Sequence, residues 1–487
     1  MNILLAVFSI IAFWRGLWGI MEYAEMNKIY GMSVQWHITD RCTNRCRHCY
    51  MFDEKTCSNE IEKELDIKGM FSILDSISEF EEKWKATVQN FTITGGDPLM
   101  HPDWILLLKE LKARNKNISI MGNPESLTDK NLSILEEMGV RSFQMSLDGL
   151  EERHDYFRSP GSFQRTLEGI KKLKSTPIKT SIMFTLFPEN KDQLIPLLNF
   201  AVTELGVHSF AFDLGAYCGN ASTLEKGHRK EDIKMIFSSY LSEKERLKKE
   251  GYSTRVYAKN NLFKLLKFEK GGFYPSNVQE VSVISGCLTG WTCVPVLSDG
   301  SVLACRRFPL KAGKMPEQSF EDIFLSSEIY KKFRRSAYFA GCGECGFYQH
   351  CRGCPAVVSS LTGDPFSHNP LCFRDSIKRE LPSNKIISLP LDSTREEEYN
   401  LVAGHFLNMF YNKMNEFINH ETARNTLLEI LQEDKLKSLY LKDLEGYLKS
   451  KNLSDFQKLF IKHFLHTIRP DTDEYDLIYN RLFRANF

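Results

Sequence analysis

The sequence predicts an α/β protein: a partial (β/α)6 barrel, a small cysteine-rich domain and an all-α C-terminal extension. Short apolar strands alternate with amphipathic helices in six units between residues 34 and 214. This alternation is typical of a parallel sheet covered by helices. Six units are too few for the closed barrel of eight strands, so the barrel is partial and TIM-like. A dense group of cysteines then follows, and the residues after the last of them show only helical spacing.

The individual elements follow from apolar periodicity. Asp66 and Thr128 are residue types that often begin helices, and each precedes an amphipathic stretch. Residues 221–270 predict a charged helical connection with solvated faces. The predicted strands are 34–40, 91–94, 118–121, 142–146, 180–187 and 209–214, and the predicted helices are 66–80, 104–111, 128–139, 163–173 and 193–205.

Three cysteines follow the first predicted strand at C-x3-C-x2-C spacing: Cys42, Cys46 and Cys49. Three thiolates in one loop can hold three corners of a four-iron cluster. The fourth iron then keeps an open position for a substrate or cofactor. A structural zinc site is the alternative, but it needs four closed ligands, usually from two C-x2-C pairs. The spacing therefore favours the cluster.

Other candidate residues collect at the C-terminal ends of the predicted strands, where barrel enzymes carry their chemistry. Glycines at these ends let the backbone approach a ligand closely. The candidates are Gly95, Gly96, Asp97, Pro98, Asn123, Ser146, Asp148 and Asp213.

A second array supplies two complete sets of four thiolates. Such sets bind either two zinc ions or two [4Fe-4S] clusters. Gly300 predicts a hairpin turn within this array. The array consists of Cys287, Cys293, Cys305, Cys342, Cys345, Cys351, Cys354 and Cys372.

Two cysteines are left over, Cys57 and Cys218. Free cysteine usually packs as a small buried residue, and we favour that interpretation for both. The alternative is a thiol that faces the substrate. Cys218 is the stronger candidate for such a catalytic role, because it follows the sixth strand and lies near Asp213.

The cysteine loop, the Gly95-Gly96-Asp97-Pro98 run and the Ser146-Leu147-Asp148-Gly149 run resemble the radical S-adenosylmethionine (SAM) enzymes. The resemblance implies that the loop holds a [4Fe-4S] cluster whose open iron binds SAM. Reductive cleavage of SAM then yields a 5′-deoxyadenosyl radical that takes a hydrogen atom from the substrate. It also implies SAM contacts from both runs, from Asn123 and from Arg158, which pairs with the SAM carboxylate. Asp97 departs from the family, which has Glu there.

The second array resembles the SPASM domain, an extension of radical SAM enzymes that act on peptides and proteins. The resemblance implies two auxiliary [4Fe-4S] clusters, which makes three in all. Their full ligation favours an electron-transfer role. The spacing of Cys351 and Cys354 departs from that of many relatives by one residue. The implied ligands are Cys287, Cys293, Cys305 and Cys354 for the first auxiliary cluster, and Cys342, Cys345, Cys351 and Cys372 for the second.

The resemblance implies a radical SAM oxidoreductase that modifies a ribosomally made peptide and forms a thioether or another cross-link. Its partners would be the precursor peptide and a low-potential electron donor, flavodoxin or ferredoxin. A formylglycine-forming sulfatase maturase is an alternative, but those relatives carry Asp after the cysteine matching Cys305, where this chain has Arg306. Another SPASM oxidoreductase and a non-catalytic metal-binding or electron-transfer protein are further alternatives.

The composition of the chain limits the classes of partner that we expect it to bind, and its patterns suggest where its domains begin and end. The net charge of +1 gives no field that would attract nucleic acid. Thiolate ligands fit a reducing cytoplasm, so we expect a cytoplasmic protein. We divide the chain into an apolar N-terminal segment (1–31), the barrel (32–270), the SPASM domain (271–378) and a helical C-terminal domain (390–487).

The two ends of the chain leave alternatives open. Residues 3–20 are apolar and near the length of a membrane span. We favour an over-long reading frame over a membrane anchor, because the barrel begins near Met32. The C-terminal domain either grips a leader peptide or packs as a scaffold.

Overall fold

The computed structural model describes five stretches of the chain, all within one unit that spans Ile29–His405. The predictions for residues 3–20, for Cys57 and for most of the C-terminal helical domain lie outside the described residues. The described residues are 29, 31–51, 63–273, 283–381 and 389–405.

A ten-stranded sheet forms the centre of the described part, in the order β10-β9-β8-β1-β2-β3-β4-β5-β6-β7. All neighbours from β8 through β1 to β7 pair in parallel. Strands β9 and β10 extend the sheet in antiparallel pairing. The strands are β1 Met32–His37, β2 Val88–Thr94, β3 Asn117–Met121, β4 Ser142–Ser146, β5 Lys179–Leu186, β6 Ser209–Leu214, β7 Arg255–Ala258, β8 Cys293–Val296, β9 Ser301–Cys305 and β10 Phe308–Lys314.

Amphipathic helices connect the parallel strands and pack against the sheet. Residues 395–405 are also helical. The α-helices are α1 Ile67–Trp84, α2 Trp104–Ala113, α3 Asp129–Glu137, α4 Glu151–Phe157, α5 Ser162–Lys174, α6 Leu194–Thr203, α7 Lys230–Lys249, α8 Phe263–Glu269, α9 Glu328–Phe333 and α10 Pro355–Thr362.

The predicted α/β architecture with a partial barrel is confirmed, and the local signals explain it. The side chain of Asp66 accepts a hydrogen bond from the Gly69 amide at 2.9 Å, which begins α1. Thr128 caps α3 in the same way, through the Asn131 amide at 3.2 Å. Gly300 has φ +82° in the turn between β8 and β9, a conformation that favours glycine.

The prediction of a purely helical connection over 221–270 is wrong at one point. Arg255–Ala258 forms β7, which pairs in parallel with β6. Four residues are too few to show a strand period among flanking helices, so its partner strand decides its structure. A second parallel strand, β8, joins the opposite side of β1. The barrel sheet therefore extends beyond the six predicted strands at both edges.

A buried ion cluster attaches the segment 389–405 to the rest of the unit. Glu398 is fully buried and its Oε2 lies 2.9 Å from Arg334 Nη1. Its other carboxylate oxygen pairs with Arg335. Tyr399 adds a hydrogen bond of 2.7 Å to the Trp84 carbonyl. These contacts tie the segment to the end of α1 and to the two residues that follow α9.

In the stretches that the structure describes, no helix is both long and apolar enough to cross a membrane.

Candidate active site

A cavity of about 360 Å³ opens at the C-terminal ends of the barrel strands. One part of its wall is the loop after β1, with Cys42, Cys46 and Cys49. Another part comes from the end of β9, with Cys305 and Arg306. The cavity therefore brings the first three cysteines and the start of the second array to one space.

The cysteine loop lies directly on the Gly95-Gly96 turn. The Gly96 amide donates a hydrogen bond to the Thr39 carbonyl at 2.7 Å. A Cβ atom at Gly96 would lie 2.4 Å from the Arg41 carbonyl oxygen and 2.7 Å from Cys42 Cβ. Glycine is required here because any side chain would displace the cysteine loop.

N–H donors face the thiols of Cys42 and Cys46. Asn123 Nδ2 lies 3.2 Å from Cys42 Sγ, and Arg158 Nη1 lies 3.7 Å from Cys46 Sγ. Burial raises the pKa of Cys46 to about 12, while the charge of Arg158 lowers it. A metal and nearby cations are what turn such thiols into thiolates. The three sulfurs and their donors therefore fit an iron–sulfur cluster.

Asp148 lies behind the cavity wall and holds Arg158 in place. Its Oδ2 accepts a hydrogen bond from Arg158 Nε at 2.7 Å and lies 3.2 Å from His48 Nε2. Burial alone would raise the pKa of Asp148, but the charges of Arg158 and His48 hold it well below its ordinary value. His48 thus turns to Asp148, although it stands between two cysteines in the sequence.

The thiols of the second array lie in two groups of neighbours. Burial raises the pKa of Cys293, Cys305 and Cys354, and the charge of Cys287 raises each further. The resemblance assigns these four cysteines to one cluster, and that assignment stays a prediction.

The remaining four cysteines are neighbours in the same sense. Burial raises the pKa of Cys342 to about 12, with contributions from Cys372 and Cys345. Burial also raises the pKa of Cys351, with contributions from Cys342 and Cys372.

Among the residues described, no three His, Cys, Asp or Glu side chains converge as ligands of one metal ion.

Strand pairing explains how the second array reaches the cavity. Cys293 begins β8 and lies opposite Ser33 of β1 in the parallel register. Cys305 ends β9, the antiparallel neighbour of β8, and lines the cavity. One continuous sheet therefore carries two cysteines of the second array and, in β1, the strand that leads into the cysteine loop.

The structure separates the predicted site residues into two sets. Gly95, Gly96, Asn123, Ser146, Arg158 and Asp213 line the cavity. Asp97, Pro98 and Asp148 are buried and are not among the described residues that line it.

The buried positions have structural partners. The Asp97 carboxylate accepts hydrogen bonds from the Ser126 hydroxyl and the Leu99 amide, and burial raises its pKa to about 6. Asp213 pairs with Arg307 at 3.0 Å. Cys218 donates to the Arg307 carbonyl at 2.9 Å. Asp213 and Cys218 thus both form contacts with Arg307.

Sequence reasoning missed the cationic side of the cavity. Arg306, Arg307 and Lys259 line it, and Arg307 Nη2 lies 2.9 Å from Cys354 Sγ. The adjacent arginines directly after Cys305 were a usable signal, because a cysteine at a strand end places its successors in the same space.

Two family models match the chain: the radical SAM superfamily over residues 36–201, and the SPASM iron–sulfur cluster-binding domain over residues 287–355. The chain contains a radical SAM domain followed by a SPASM domain. The predicted family is thereby confirmed, with an expected [4Fe-4S] cluster and SAM in the first domain and further iron–sulfur binding in the second. The count of three clusters stays a prediction.

This radical SAM/SPASM protein is similar to proteins of several activities. It is 25% identical to the AdoMet-dependent heme synthase of Methanosarcina barkeri over 352 residues, 70% of this chain and 95% of the relative. It is 22% identical to the antilisterial bacteriocin subtilosin biosynthesis protein AlbA of Bacillus subtilis, over 70% of each chain.

A solved structure shares the fold. SuiB of Streptococcus suis superposes with a TM-score of 0.56 at 16% identity, covering 70% of this chain and 77% of SuiB. With its precursor peptide SuiA bound, SuiB gives a TM-score of 0.54, at 15% identity over 71% of this chain and 76% of SuiB. At this identity the likeness supports the fold alone.

Proposed function

We propose that this protein is a radical SAM peptide maturase that forms a thioether or another cross-link in a ribosomally made peptide. A low-potential flavodoxin or ferredoxin supplies the electrons. When bound, the cluster and SAM supply a radical that removes a hydrogen atom from the substrate. The similarity to AlbA, a bacteriocin biosynthesis protein, supports a peptide substrate.

The observation that carries the proposal is a pair of adjoining cavities, together called the trough. A second cavity of about 440 Å³ shares four lining residues with the first: Asp40, Tyr50, Met51 and Arg306. Its far side includes Pro309 and Lys311 of β10, the strand at one end of the sheet. A substrate several residues long can therefore lie across both cavities with one end near the cysteine loop.

Residues of the chain have distinct roles in this proposal. Cys42, Cys46 and Cys49 hold the SAM-binding cluster, and Arg158 binds the SAM carboxylate in an orientation fixed by Asp148. Arg307 stabilises negative charge on Cys354 at the auxiliary site through its 2.9 Å contact. The auxiliary site accepts the electron left when a substrate radical closes a new bond.

Anaerobic co-expression with each short open reading frame beside the gene tests the proposal. Mass spectrometry of each peptide should show the loss of a pair of hydrogens, and fragmentation should locate the link. The same peptide should stay unchanged with the Cys46→Ala variant. Unchanged peptides beside wild-type protein that cleaves SAM would overturn the peptide proposal.

The electron role of the auxiliary site has its own test. Cys345→Ala and Cys351→Ala should stop product formation while SAM cleavage continues in part. Unchanged product from either variant would contradict the role.

A second candidate is a porphyrin-modifying enzyme. The extent of the match to the heme synthase, 95% of that relative's length, favours it. Incubation with iron coproporphyrin III, SAM and a reductant, followed by mass spectrometry, tests this candidate. A mass change that requires both SAM and Cys46 would support it, whereas an unmodified porphyrin would exclude it.

A further inference from the structure

We infer that Arg306 binds a carboxylate of the substrate, and that the substrate of this site is therefore a carboxylate-bearing molecule. The inference rests on the proposed function, because it names the chemical class that the trough accepts. It concerns Arg306 at the end of β9, on the wall that the two cavities share.

Arg306 contacts no described carboxylate, and its charge acts on the thiols of Cys293 and Cys305, whose pKa it lowers. Nη1 donates to Thr94 Oγ1 at 3.0 Å, and Nη2 lies 3.8 Å from Met121 Sδ. The guanidinium lies over the Tyr50 ring, 5.6 Å from its centroid. Its Nε is buried without a hydrogen-bond partner. No described carboxylate forms an ion pair with it.

The other arginines of the cavity differ in this respect. Arg307 pairs with Asp213 at 3.0 Å, and Arg158 pairs with Asp148 at 2.7 Å. Arg306 is half-buried on the cavity wall, and three neutral neighbours hold its guanidinium there. A carboxylate that enters with the ligand would supply the ion pair that the other two arginines already have.

The charge balance of the cavity points the same way. Asp213 forms an ion pair with Arg307, and Asp40 accepts hydrogen bonds from His37 and Ser298. Lys259 also lines the cavity; its Nζ lies 3.4 Å from Gln144 Oε1, and the charge of Asp213 acts on it as well. Within the described residues, Arg306 therefore adds positive charge that no carboxylate of the cavity pairs with.

The shape of a guanidinium selects its ligand. Two parallel N–H groups match the two oxygens of a carboxylate, a pairing that adds specificity as well as energy. Thr94 and Met121 end neighbouring strands and hold the group at the junction of the cavities. A substrate that spans the trough must pass it. Peptide carboxylates and porphyrin carboxylates share this chemistry.

Binding to two defined probes tests the inference with the full, cluster-loaded chain and SAM under anaerobic conditions. The probes are coproporphyrin III and a capped ten-residue peptide of alternating Glu and Ala, with a Gln peptide as its neutral counterpart. At least one carboxylate probe should bind, and Arg306→Gln should weaken it by about tenfold or more, as expected for a lost charge-assisted pair. The probe that responds identifies the source of the carboxylate.

Two further variants complete the design. Arg306→Lys keeps the positive charge but lacks the two parallel N–H donors of a guanidinium. It should therefore bind the responding probe more weakly than wild type does. It also replaces Arg306→Gln if that variant fails to load iron. Arg229→Gln is the matched control, because Arg229 is 75% exposed and pairs with Asp232 at the surface. It should bind as wild type does.

Two outcomes overturn the inference: equal affinity of wild type and Arg306→Gln, or binding of neither carboxylate probe. Its failure is distinct from failure of the proposed function. Co-expression reports peptide modification independently of these affinities. If the wild-type protein modifies a peptide but Arg306→Gln binds the probes with unchanged affinity, only the role of Arg306 is refuted.

Discussion

Asp148 and Arg158 show how two residues with the same predicted role divide the work of a site. The family resemblance implies that both contact SAM. The structure places only Arg158 on the cavity wall, with Asp148 fully buried behind it. Which of two polar residues faces a ligand depends on side-chain direction, and a motif does not encode that direction.

We expect Asp148→Asn to weaken SAM binding about tenfold, because a charge-assisted hydrogen bond that orients Arg158 is lost. Asp148→Glu, which keeps the charge, should recover part of the affinity. Equilibrium binding of SAM to the cluster-loaded protein measures both effects, with iron content determined alongside. Asp129→Asn, on the exposed first turn of α3, is the control. Equal affinity in Asp148→Asn would show that Arg158 needs no such support.

At the scale of elements, the contact between the cysteine loop and the Gly95-Gly96 turn decides whether a cluster can form. The glycines are readable from the sequence as a place of close approach. The sequence does not reveal which segment approaches them, because the loop reaches the turn through the pairing of β1 with β2. The partner at closest range is the cysteine loop itself.

Gly96→Ala should therefore lower the iron bound at the first site, because its Cβ would overlap the Arg41 carbonyl at 2.4 Å. We expect a loss of up to about four irons per chain, the content of one cluster. Gly272→Ala is a matched control, since its nearest atom would be 3.7 Å away. Full iron content in Gly96→Ala would contradict a rigid loop contact.

The segment 389–405 depends on the buried ion cluster around Glu398. Removing one partner leaves uncompensated buried charge, so Glu398→Gln should lower the free energy of unfolding by about 3 kcal/mol. Arg395→Gln in the same segment breaks a half-exposed pair and should cost less than about 1 kcal/mol. Denaturant unfolding of both variants gives the comparison. Equal midpoints would show that apolar packing alone attaches the segment.

At the scale of the molecule, the sequence predicts the alternation of strands and helices because each unit carries its own period and caps. It misses β7 and the parallel pairing of β8 with β1, because those depend on a distant partner rather than on local pattern. The cationic cavity wall is missed for the same reason. Its arginines acquire a role only when β9 delivers them to the space beside the cysteine loop.

Whole-chain analysis of iron and sulfide tests the count of clusters. Wild type should hold about twelve irons and twelve sulfides per chain, four for each cluster. The double variant Cys345→Ala/Cys351→Ala should hold about eight of each, because one auxiliary set loses two ligands. Zinc in place of iron would refute the assignment of the second array.

The place of β8 beside β1 gives the SPASM segment a second duty, as a cover for an open sheet edge. A chain cut before Cys293 would leave β1 with a row of unpaired backbone groups, which invites aggregation. Lost activity in such a shortened chain would reflect insolubility as much as the missing cysteines. Replacing single cysteines with serine leaves β8 paired with β1, so it tests the role of the cysteines separately from the protection of the sheet edge.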